Sequence, residues 1–152
     1  MLRDLRDLPT FLRLRGAQRR FDPGGRDTLA SLLRERASTS PRGGGFRHGD
    51  ETLAPADFVA ASGAFAAVLG SAGVGRGESV GLVMGNSLAL LAAEVAVAQT
   101  GTLGVLVDPR CGRASLGQAL KSSRVRHVFT DAASLPALLE LPDAVTYTIW
   151  SR

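Results

Sequence analysis

The sequence predicts an α/β protein built on an open, mostly parallel, doubly wound sheet with helices on both faces. A basic N-terminal helix and a short hairpin are expected to precede this sheet. Two observations carry the prediction. Strand-like and helix-like segments alternate as β-α-β-α-β-α-β from Ser79 onward, and the first strand segments are continuous apolar runs. Strands buried on both faces of a parallel sheet have this unbroken apolar character, because helices cover both sides.

A strand–helix–strand unit between Glu78 and Pro109 is the centre of the predicted sheet. Residues 79–84 and 103–107 are its two apolar strand segments. The segment between them is rich in leucine, valine and alanine. This composition predicts a helix that is buried nearly all round and lies close to the sheet.

The ends of this central helix carry capping signals. The side chain of Asn86 or Ser87 can accept a backbone N–H bond at the start of the helix. Gly101 stands where a left-handed residue is wanted at the end. The helix is therefore expected to fill the span between the two strands.

Two helices are expected near the N-terminus. Residues 1–27 form a basic amphipathic leader and linker, which favours either a helix packed on the body or one lying on a membrane surface. A second helix begins with Asp27 or Thr28 as its cap and ends within residues 38–45. Its predicted apolar stripe consists of Leu29, Leu32 and Leu33.

The remaining elements follow from turn and period signals. Residues 46–53 indicate a hairpin around Gly49 and Asp50, and Pro55 opens a long helix at a permitted first-turn position. After the central unit, the pattern predicts a helix at about 112–122, a strand at 125–130, a helix at 132–141 and a last apolar run at 144–150. The chain thus divides into the leader, 1–27, and an α/β subdomain, 28–152.

The charge of the chain is concentrated in its leader. The formal net charge is +4, and residues 1–20 supply all of it, with six arginines against Asp4 and Asp7. The other residues carry twelve basic and twelve acidic groups and balance. A basic pI that describes only one end of the chain does not predict nucleic-acid binding.

Cysteine usage and hydropathy suggest a cytoplasmic protein. Cys111 is the only cysteine, so an internal disulfide is excluded and a reducing compartment fits. The longest apolar run is interrupted by Glu94, which leaves no membrane span of roughly 18 residues. Arginines interrupt the N-terminus, so it lacks the apolar core of a signal peptide.

Two glycine patterns resemble phosphate loops without meeting their requirements. The first comprises Gly73, Gly75 and Gly77, which precede a strand instead of following one, so a loop is expected. The second, from Gly112 to Gln118, has the spacing G-x-x-x-x-G but lacks the lysine and hydroxyl residue that would reach phosphate and magnesium. A plain helix opening is predicted there.

Ser87 lies on a strand-to-helix turn that resembles a nucleophile elbow. Asp108 and His127 follow in the order that a Ser-Asp-His hydrolase would need. His127, however, is expected at the amino end of a strand, whereas the other two follow the carboxyl ends. A helix cap is therefore the favoured role of Ser87, with a hydrolase as the weaker alternative. His48 has no neighbouring ligand set, so the sequence predicts no catalytic, cofactor-binding or metal residues.

Residues 28–131 resemble the N-terminal region of the acyl-adenylate-forming enzymes, the AMP-binding acyl-CoA synthetases. The order of several short motifs carries this resemblance. They are the T-x-x-x-L-L helix start at 28–33, SAGVGRGE at 71–78, VGLVMGNS at 80–87, the QTGT to VDP stretch at 99–109, and V-x-H-V-F-T-D at 125–131. The basic leader and residues 113–120 are similar to the fatty-acid transport and long-chain synthetase branch.

The resemblance implies a ligase that joins a carboxylate to AMP from ATP and then transfers the acyl group to coenzyme A. ATP, magnesium and coenzyme A would be cofactors of the full-length family. This chain departs from the pattern at Glu78, Gln99 and Ala54-Pro55. It also lacks the family's phosphate loop, aromatic-x-Thr-Glu segment, ribose-binding Asp and catalytic Lys, since Lys121 is its only lysine.

The resulting prediction is an N-terminal fragment of a fatty acyl-CoA synthetase that binds no cofactor and is inactive alone. The alternative is a stand-alone α/β module for protein interaction or small-ligand binding. Expected partners are the remainder of the synthetase or a second copy of the chain, with peripheral membrane contact through the leader. The exposed final strand, around Val145, Tyr147 and Ile149, is expected to promote association.

Overall fold

The computed structural model describes residues 28–141 and 148–151. The predicted leader helix and the first residues of the last predicted strand lie outside this part of the chain. The helices are α1 (Leu29–Thr39), α2 (Pro55–Ser71), α3 (Leu88–Thr100), α4 (Arg113–Ser122) and α5 (Leu135–Leu139). The strands are β1 (Phe46–His48), β2 (Glu51–Leu53), β3 (Ser79–Val83), β4 (Leu103–Leu106), β5 (His127–Thr130) and β6 (Thr148–Ser151).

The four strands β3 to β6 form one parallel sheet in the order β4-β3-β5-β6. The chain passes from β3 to β4 at one edge and then crosses back over β3 to build β5 and β6 on the other side. This order is that of a doubly wound sheet, and it confirms the predicted fold class.

Helices cover both faces of the sheet, as the sequence predicted. On one face, Leu69 of α2 and Ala93 and Val97 of α3 pack against Val80 and Leu82 of β3. The opposite core cluster joins α4 and α5 to the sheet and contains Val83, Leu116, Leu120, Val125, Val128 and Leu138. The central strand β3 is therefore enclosed on both sides.

Gly81 allows α4 to lie close to β3. A Cβ atom built at this position would stand 3.0 Å from Leu120 Cδ2, 3.1 Å from Val125 Cγ1 and 3.2 Å from Val128 Cγ2. These distances are tighter than ordinary van der Waals contacts. The absence of a side chain at Gly81 therefore sets the distance between helix and sheet.

Helix α3 has the burial and the caps that were predicted for it. Within it, only Ala98 is classed as exposed. Ser87 is the N-cap and accepts a hydrogen bond from the Leu90 amide at 3.1 Å, while Gly101 ends the helix with φ of 72°. The Gln99 side chain donates to the hydroxyl of fully buried Ser62 on α2 over 3.4 Å.

The predicted apolar stripe of α1 is wrong for two of its three leucines, whereas the third, Leu33, is partly buried and packs against the core. Thr28 caps the helix in a reciprocal capping box with Ser31, but Leu29 and Leu32 are 55% and 51% exposed. The buried residue is Ala30, which joins the cluster formed with α2 and α3. A small alanine lets α1 approach its neighbours closely, and the two leucines are rotated towards solvent.

Strand β4 is the second correction, because it is not buried on both faces. Among the described residues it lies at an edge of the sheet, with β3 as its one neighbour. Leu103 is 57% exposed and Leu106 is 56% exposed. The apolar run thus belongs to an edge strand. From the sequence alone, such a strand cannot be distinguished from one inside the sheet.

The predicted helix at 132–141 is shortened at both ends. Asp131 accepts the Ser134 amide at 2.7 Å and holds residues 132–134 in a turn, so α5 begins only at Leu135. The hairpin prediction is confirmed, with β1 and β2 paired antiparallel and Gly49 in the turn at φ of 58°.

Candidate functional site

A cleft of the described structure lies at the carboxyl ends of β3, β4 and β5. Its volume is about 560 Å³, and the loops that follow these three strands form its rim. Apolar side chains form much of its wall, among them Leu82, Met84, Leu90, Leu106, Val107 and Ala137. Ligands of open α/β sheets bind outside the carboxyl ends of the strands, where the strand order reverses. The cleft occupies that position between β3 and β5.

Asp131 connects the two loops on either side of the reversal point. Its Oδ2 accepts a hydrogen bond from the Gly85 amide at 2.8 Å, and its Oδ1 accepts one from the Ser134 amide at 2.7 Å. Partial burial acts to raise the pKa of Asp131, but hydrogen bonds from Ser134 and Gly85 outweigh it and leave the pKa lowered. The carboxylate is therefore ionised at neutral pH and acts as a clamp on the backbone.

Asp108 and Arg110 form the polar side of the cleft after β4. The guanidinium donates to both carboxylate oxygens, at 3.0 Å from Nε and 2.9 Å from Nη2. The Arg110 side-chain and backbone hydrogen bonds lower the pKa of Asp108 to about 2. Both side chains are largely exposed, at 86% for Arg110 and 52% for Asp108. The two residues therefore form an ion pair of zero net charge on the rim of the cleft.

The three residues of the possible hydrolase do not form one site. Ser87 and Asp108 follow the carboxyl ends of β3 and β4, whereas His127 begins β5 and is aligned with Val80 near the start of β3. His127 lines a separate depression of about 300 Å³ at the opposite end of the sheet. The geometry thus matches the expected separation of base and nucleophile, and the Ser87 hydroxyl is used as a helix cap.

The glycine patterns have the structural roles that were predicted. Gly73 and Gly77 adopt positive φ angles of 70° and 80° in the loop before β3. Gly75 lies in the same loop and donates its amide to the Glu78 carboxylate at 2.9 Å. Gly112 precedes α4 as an N-cap without a side-chain cap bond.

Both carboxylates of the cleft already have partners within the chain. Among the residues that the structure describes, no group of three or more His, Cys, Asp or Glu could hold a metal ion. Of the cleft's two carboxylates, Asp131 is committed to backbone amides and Asp108 to Arg110. What the arrangement offers is an apolar surface beside a rigid polar rim.

Sequence reasoning missed the clamp role of Asp131. The sequence shows this residue only as the last position of the V-x-H-V-F-T-D strand. The available signal was an Asp directly after one parallel strand together with a glycine directly after another. The pairing could not be assigned because it depends on β3 and β5 being neighbours in the sheet, 46 residues apart in the chain at this contact.

A doubly wound sheet with a cleft where the strand order reverses is typical of open α/β proteins. Proteins of this class bind ligands at the carboxyl edge of the sheet. The sequence model of the family described as "AMP-binding enzyme" matches residues 33–151. The chain therefore belongs to the AMP-binding enzyme family.

Solved structures of adenylate-forming ligases have the same fold. A Mycobacterium tuberculosis fatty acyl CoA synthetase aligns with a TM-score of 0.69 and 25% identity, over 81% of this chain and 26% of that one. The N-terminal domain of FACL13 from the same organism gives a TM-score of 0.71 at 23% identity, over 82% of this chain and 34% of that chain. A benzoate CoA ligase from Burkholderia xenovorans aligns with a TM-score of 0.74 at 19% identity, over 83% of this chain and 26% of that one.

Curated relatives are similar over a shorter stretch. A naringenin synthase from Pestalotiopsis fici is 38% identical over 66 residues, which is 43% of this chain and 2% of that protein. A chalcone synthase from Aspergillus candidus is 36% identical over 70 residues, which is 46% of this chain and 2% of that protein. This chain thus spans a small part of these relatives.

Within residues 28–141 and 148–151, no helix is long and apolar enough to cross a membrane.

Proposed function

We propose that this chain is the N-terminal α/β subdomain of an ATP-dependent fatty acyl-CoA synthetase and that its 152 residues do not catalyse the reaction alone. The observation that carries the proposal is the family match over residues 33–151. The 25% identity to a fatty acyl CoA synthetase favours a fatty acid as the carboxylate substrate.

The proposed inactivity follows from the donors that the chain lacks. Adenylate formation needs groups that hold the triphosphate and its magnesium while the carboxylate attacks the α-phosphorus and pyrophosphate leaves. The phosphate loop of the family is absent from the sequence, and Lys121 lies on α4 away from the cleft. ATP, magnesium and coenzyme A would act on the complete enzyme, with the remainder of the synthetase as the partner.

A second candidate substrate class is an aromatic acid. The similarity to a benzoate CoA ligase and to proteins named for naringenin and chalcone favours it. The apolar wall of the cleft fits either a fatty or an aromatic group. A cytoplasmic location, with peripheral membrane contact through the arginine-rich leader, is part of the proposal in both cases.

The first experiment tests inactivity. The purified chain is incubated with ATP, magnesium, coenzyme A and either octanoate, palmitate or benzoate, and released pyrophosphate is measured. We expect no release above a blank without protein. Pyrophosphate that depends on both the acid and the chain would refute the proposed inactivity.

The second experiment tests the substrate class in an active context. Residues 28–151 replace the matching part of the Mycobacterium tuberculosis fatty acyl CoA synthetase, with the parent enzyme as control. If the fatty-acid proposal is correct, the chimera forms acyl-CoA from fatty acids in preference to benzoate. A reversed preference relative to the parent would favour the aromatic candidate.

A further inference from the structure

The amino edge of the sheet carries a depression that the proposed reaction does not use. Its volume is about 300 Å³, and it lies at the end of the sheet opposite the cleft. Ser79 of β3 and Arg126, directly before β5, both line it, because these two strands are neighbours in the sheet. Ser123 and Arg124, at the end of α4, contribute another part of the lining.

Arg124 has a backbone conformation that usually requires glycine. Its φ is 52°, and every other positive φ among the described residues belongs to a glycine. The Arg124 amide donates to the Lys121 carbonyl at 3.1 Å, directly after α4. The Val125 amide donates to the Leu120 carbonyl at 3.0 Å, which completes a Schellman motif.

Glycine is the usual residue at this position of the motif, because a side chain there strains the backbone. The chain uses glycine at similar positions elsewhere, for example Gly101 at the end of α3. An arginine in a strained conformation is therefore not explained by the ending of α4. It indicates a role for the side chain of Arg124.

The side chains with hydrogen-bond donors around the depression are not occupied by partners within the chain. Neither Arg124 nor Arg126 belongs to an ion pair of the described residues, and both are exposed. The hydroxyls of Ser79 and Ser123 make no hydrogen bond within the same part of the chain. Two guanidiniums and two hydroxyls can therefore donate to a ligand.

The lining carries a net positive charge. Among the described residues that line the depression, two arginines stand against one carboxylate, which leaves +1 with histidine counted as neutral. That carboxylate, Glu78, accepts the Gly75 amide at 2.9 Å and forms no ion pair with either arginine. Residues 109–130 contain no acidic residue. The depression thus favours an anion.

The end of α4 does not account for this charge. The dipole of a helix places roughly half a negative elementary charge at its carboxyl end. Lys121, in the last turn of α4, already supplies a cation there. Arg124 and Arg126 are therefore in excess of what the helix end requires.

We propose that the depression binds a phosphate monoester through Arg124 and Arg126. Such a group carries a charge of about −1.5 to −2 and three strong acceptor oxygens, so it has acceptors for both guanidiniums and for a serine hydroxyl. A guanidinium also matches the geometry of phosphate oxygens with two parallel bonds. A carboxylate has one charge and two oxygens, and we expect it to bind more weakly.

The phosphate can belong to a soluble molecule or to a lipid headgroup, because the two sources present the same chemistry. The site lies at the other end of the sheet from the cleft. The inference therefore does not depend on the proposed synthetase function or on which acid that enzyme would use.

Titration of the isotope-labelled 152-residue chain with methyl phosphate, followed by NMR, tests the site. We expect saturable shifts of the amides of Ser79, Ser123 and Arg124, and weaker binding of acetate. Arg126→Gln should weaken methyl phosphate binding by about tenfold, because it removes a charge-assisted hydrogen bond. Arg47→Gln is the matched control, since Arg47 is an exposed arginine on β1, and it should leave binding unchanged.

Arg124→Gly separates a binding role from a structural one. Glycine adopts a positive φ without strain, so the melting temperature should equal or exceed that of the parent chain. Methyl phosphate binding should nevertheless fall by about tenfold, as for Arg126→Gln. Arg124→Lys, which keeps the charge but loses the paired donors, should bind more tightly than Arg124→Gly.

Vesicle flotation distinguishes the two sources of phosphate. Phosphatidic acid presents a phosphate monoester, whereas phosphatidylserine presents a diester. If the ligand is a lipid, the parent chain floats more with vesicles containing phosphatidic acid, and an Arg124→Gly/Arg126→Gln double variant loses this preference. If the ligand is soluble, parent and double variant float equally and only the methyl phosphate titration differs. Both proteins keep the same basic leader, so its contribution cancels.

Four results would overturn the proposal. Methyl phosphate might give no saturable shift, or acetate might bind as tightly as methyl phosphate. Binding might be unchanged in both Arg124→Gly and Arg126→Gln. Lastly, Arg47→Gln might reduce binding as much as Arg126→Gln, which would mean general attraction to positive charge.

Discussion

The amide of Gly85 donates a hydrogen bond to Asp131 Oδ2 at 2.8 Å, and this contact ties the loop after β3 to the loop after β5. The two loops form the part of the cleft rim where the strand order reverses. Their separation is therefore set by a carboxylate that the backbone holds in place.

Replacing Asp131 by alanine should destabilise the chain by about 1–3 kcal/mol, because it removes an ionised acceptor of two amides. Urea unfolding at neutral pH measures the change in the free energy of unfolding. Asp50→Ala is the control, since Asp50 lies in the exposed β1–β2 turn. An Asp131→Ala change no larger than that of the control would contradict the clamp.

The stabilisation from Asp131 should depend on pH in a defined direction. Its pKa in the folded chain is lowered from the usual 3.8. The contribution is therefore present above pH 3.8 and is lost as the pH falls through the lower folded-state value. Unfolding measured from pH 7 to pH 2 should show a smaller acid-induced loss of stability in Asp131→Asn than in the parent chain. Equal losses in both would argue against this assignment.

Asp108 is expected to titrate at unusually low pH without contributing measurably to stability. Hydrogen bonds from Arg110 lower its pKa to about 2, and the pair is solvent-exposed. Carboxyl NMR should show the low pKa in the parent chain and a higher pKa in Arg110→Gln, which loses the side-chain hydrogen bonds but keeps the backbone one. The melting temperature of Arg110→Gln should stay unchanged, and a clear decrease would mean that the pair is coupled to the fold.

Gly81→Val should destabilise the protein by about 1–3 kcal/mol or more, because its methyl groups would overlap the α4 side of the core. Gly63→Ala is a control of opposite sign. Gly63 lies inside α2 with no heavy atom within 4 Å of an added Cβ, so alanine should stabilise by roughly 0.5–1 kcal/mol. Thermal and urea unfolding of both variants provide the comparison.

Ser87→Ala should cost about 1 kcal/mol of stability through loss of the α3 cap. Ser71→Ala serves as control, because the Ser71 hydroxyl bonds only to the Val68 carbonyl within its own exposed turn. A p-nitrophenyl ester assay accompanies the unfolding measurement. Hydrolysis by the parent chain that disappears in Ser87→Ala would restore the hydrolase alternative.

Much of the fold could be predicted because its signals are local. Ser87 and Gly101 mark the ends of α3 through hydrogen bonding and left-handed backbone geometry, and neither depends on the rest of the chain. The alternation of strands and helices then leaves few permitted topologies. The parallel, doubly wound arrangement followed from these elements, whereas the order of the strands in the sheet did not.

What could not be predicted depends on neighbours in space. Leu32 and Leu106 are apolar and were assigned to buried positions, yet their exposure depends on whether another element covers them. The Gly85–Asp131 contact likewise joins residues distant in sequence. Periodicity describes a single element, whereas the edge of a sheet and the rim of a cleft are properties of several.

The strand order also has a consequence for synthesis on the ribosome. Strand β3 pairs with β4 on one side and with β5 on the other, and 44 residues separate Val83 from His127. At about 5–20 residues per second, β5 emerges roughly 2–9 s after β3 is complete. During that interval the nascent β3–α3–β4 unit has two unpaired strand edges and one uncovered apolar face of its sheet. Binding of a chaperone to the nascent chain would be most useful in that window, and substitutions that slow translation between α3 and β5 would lengthen it.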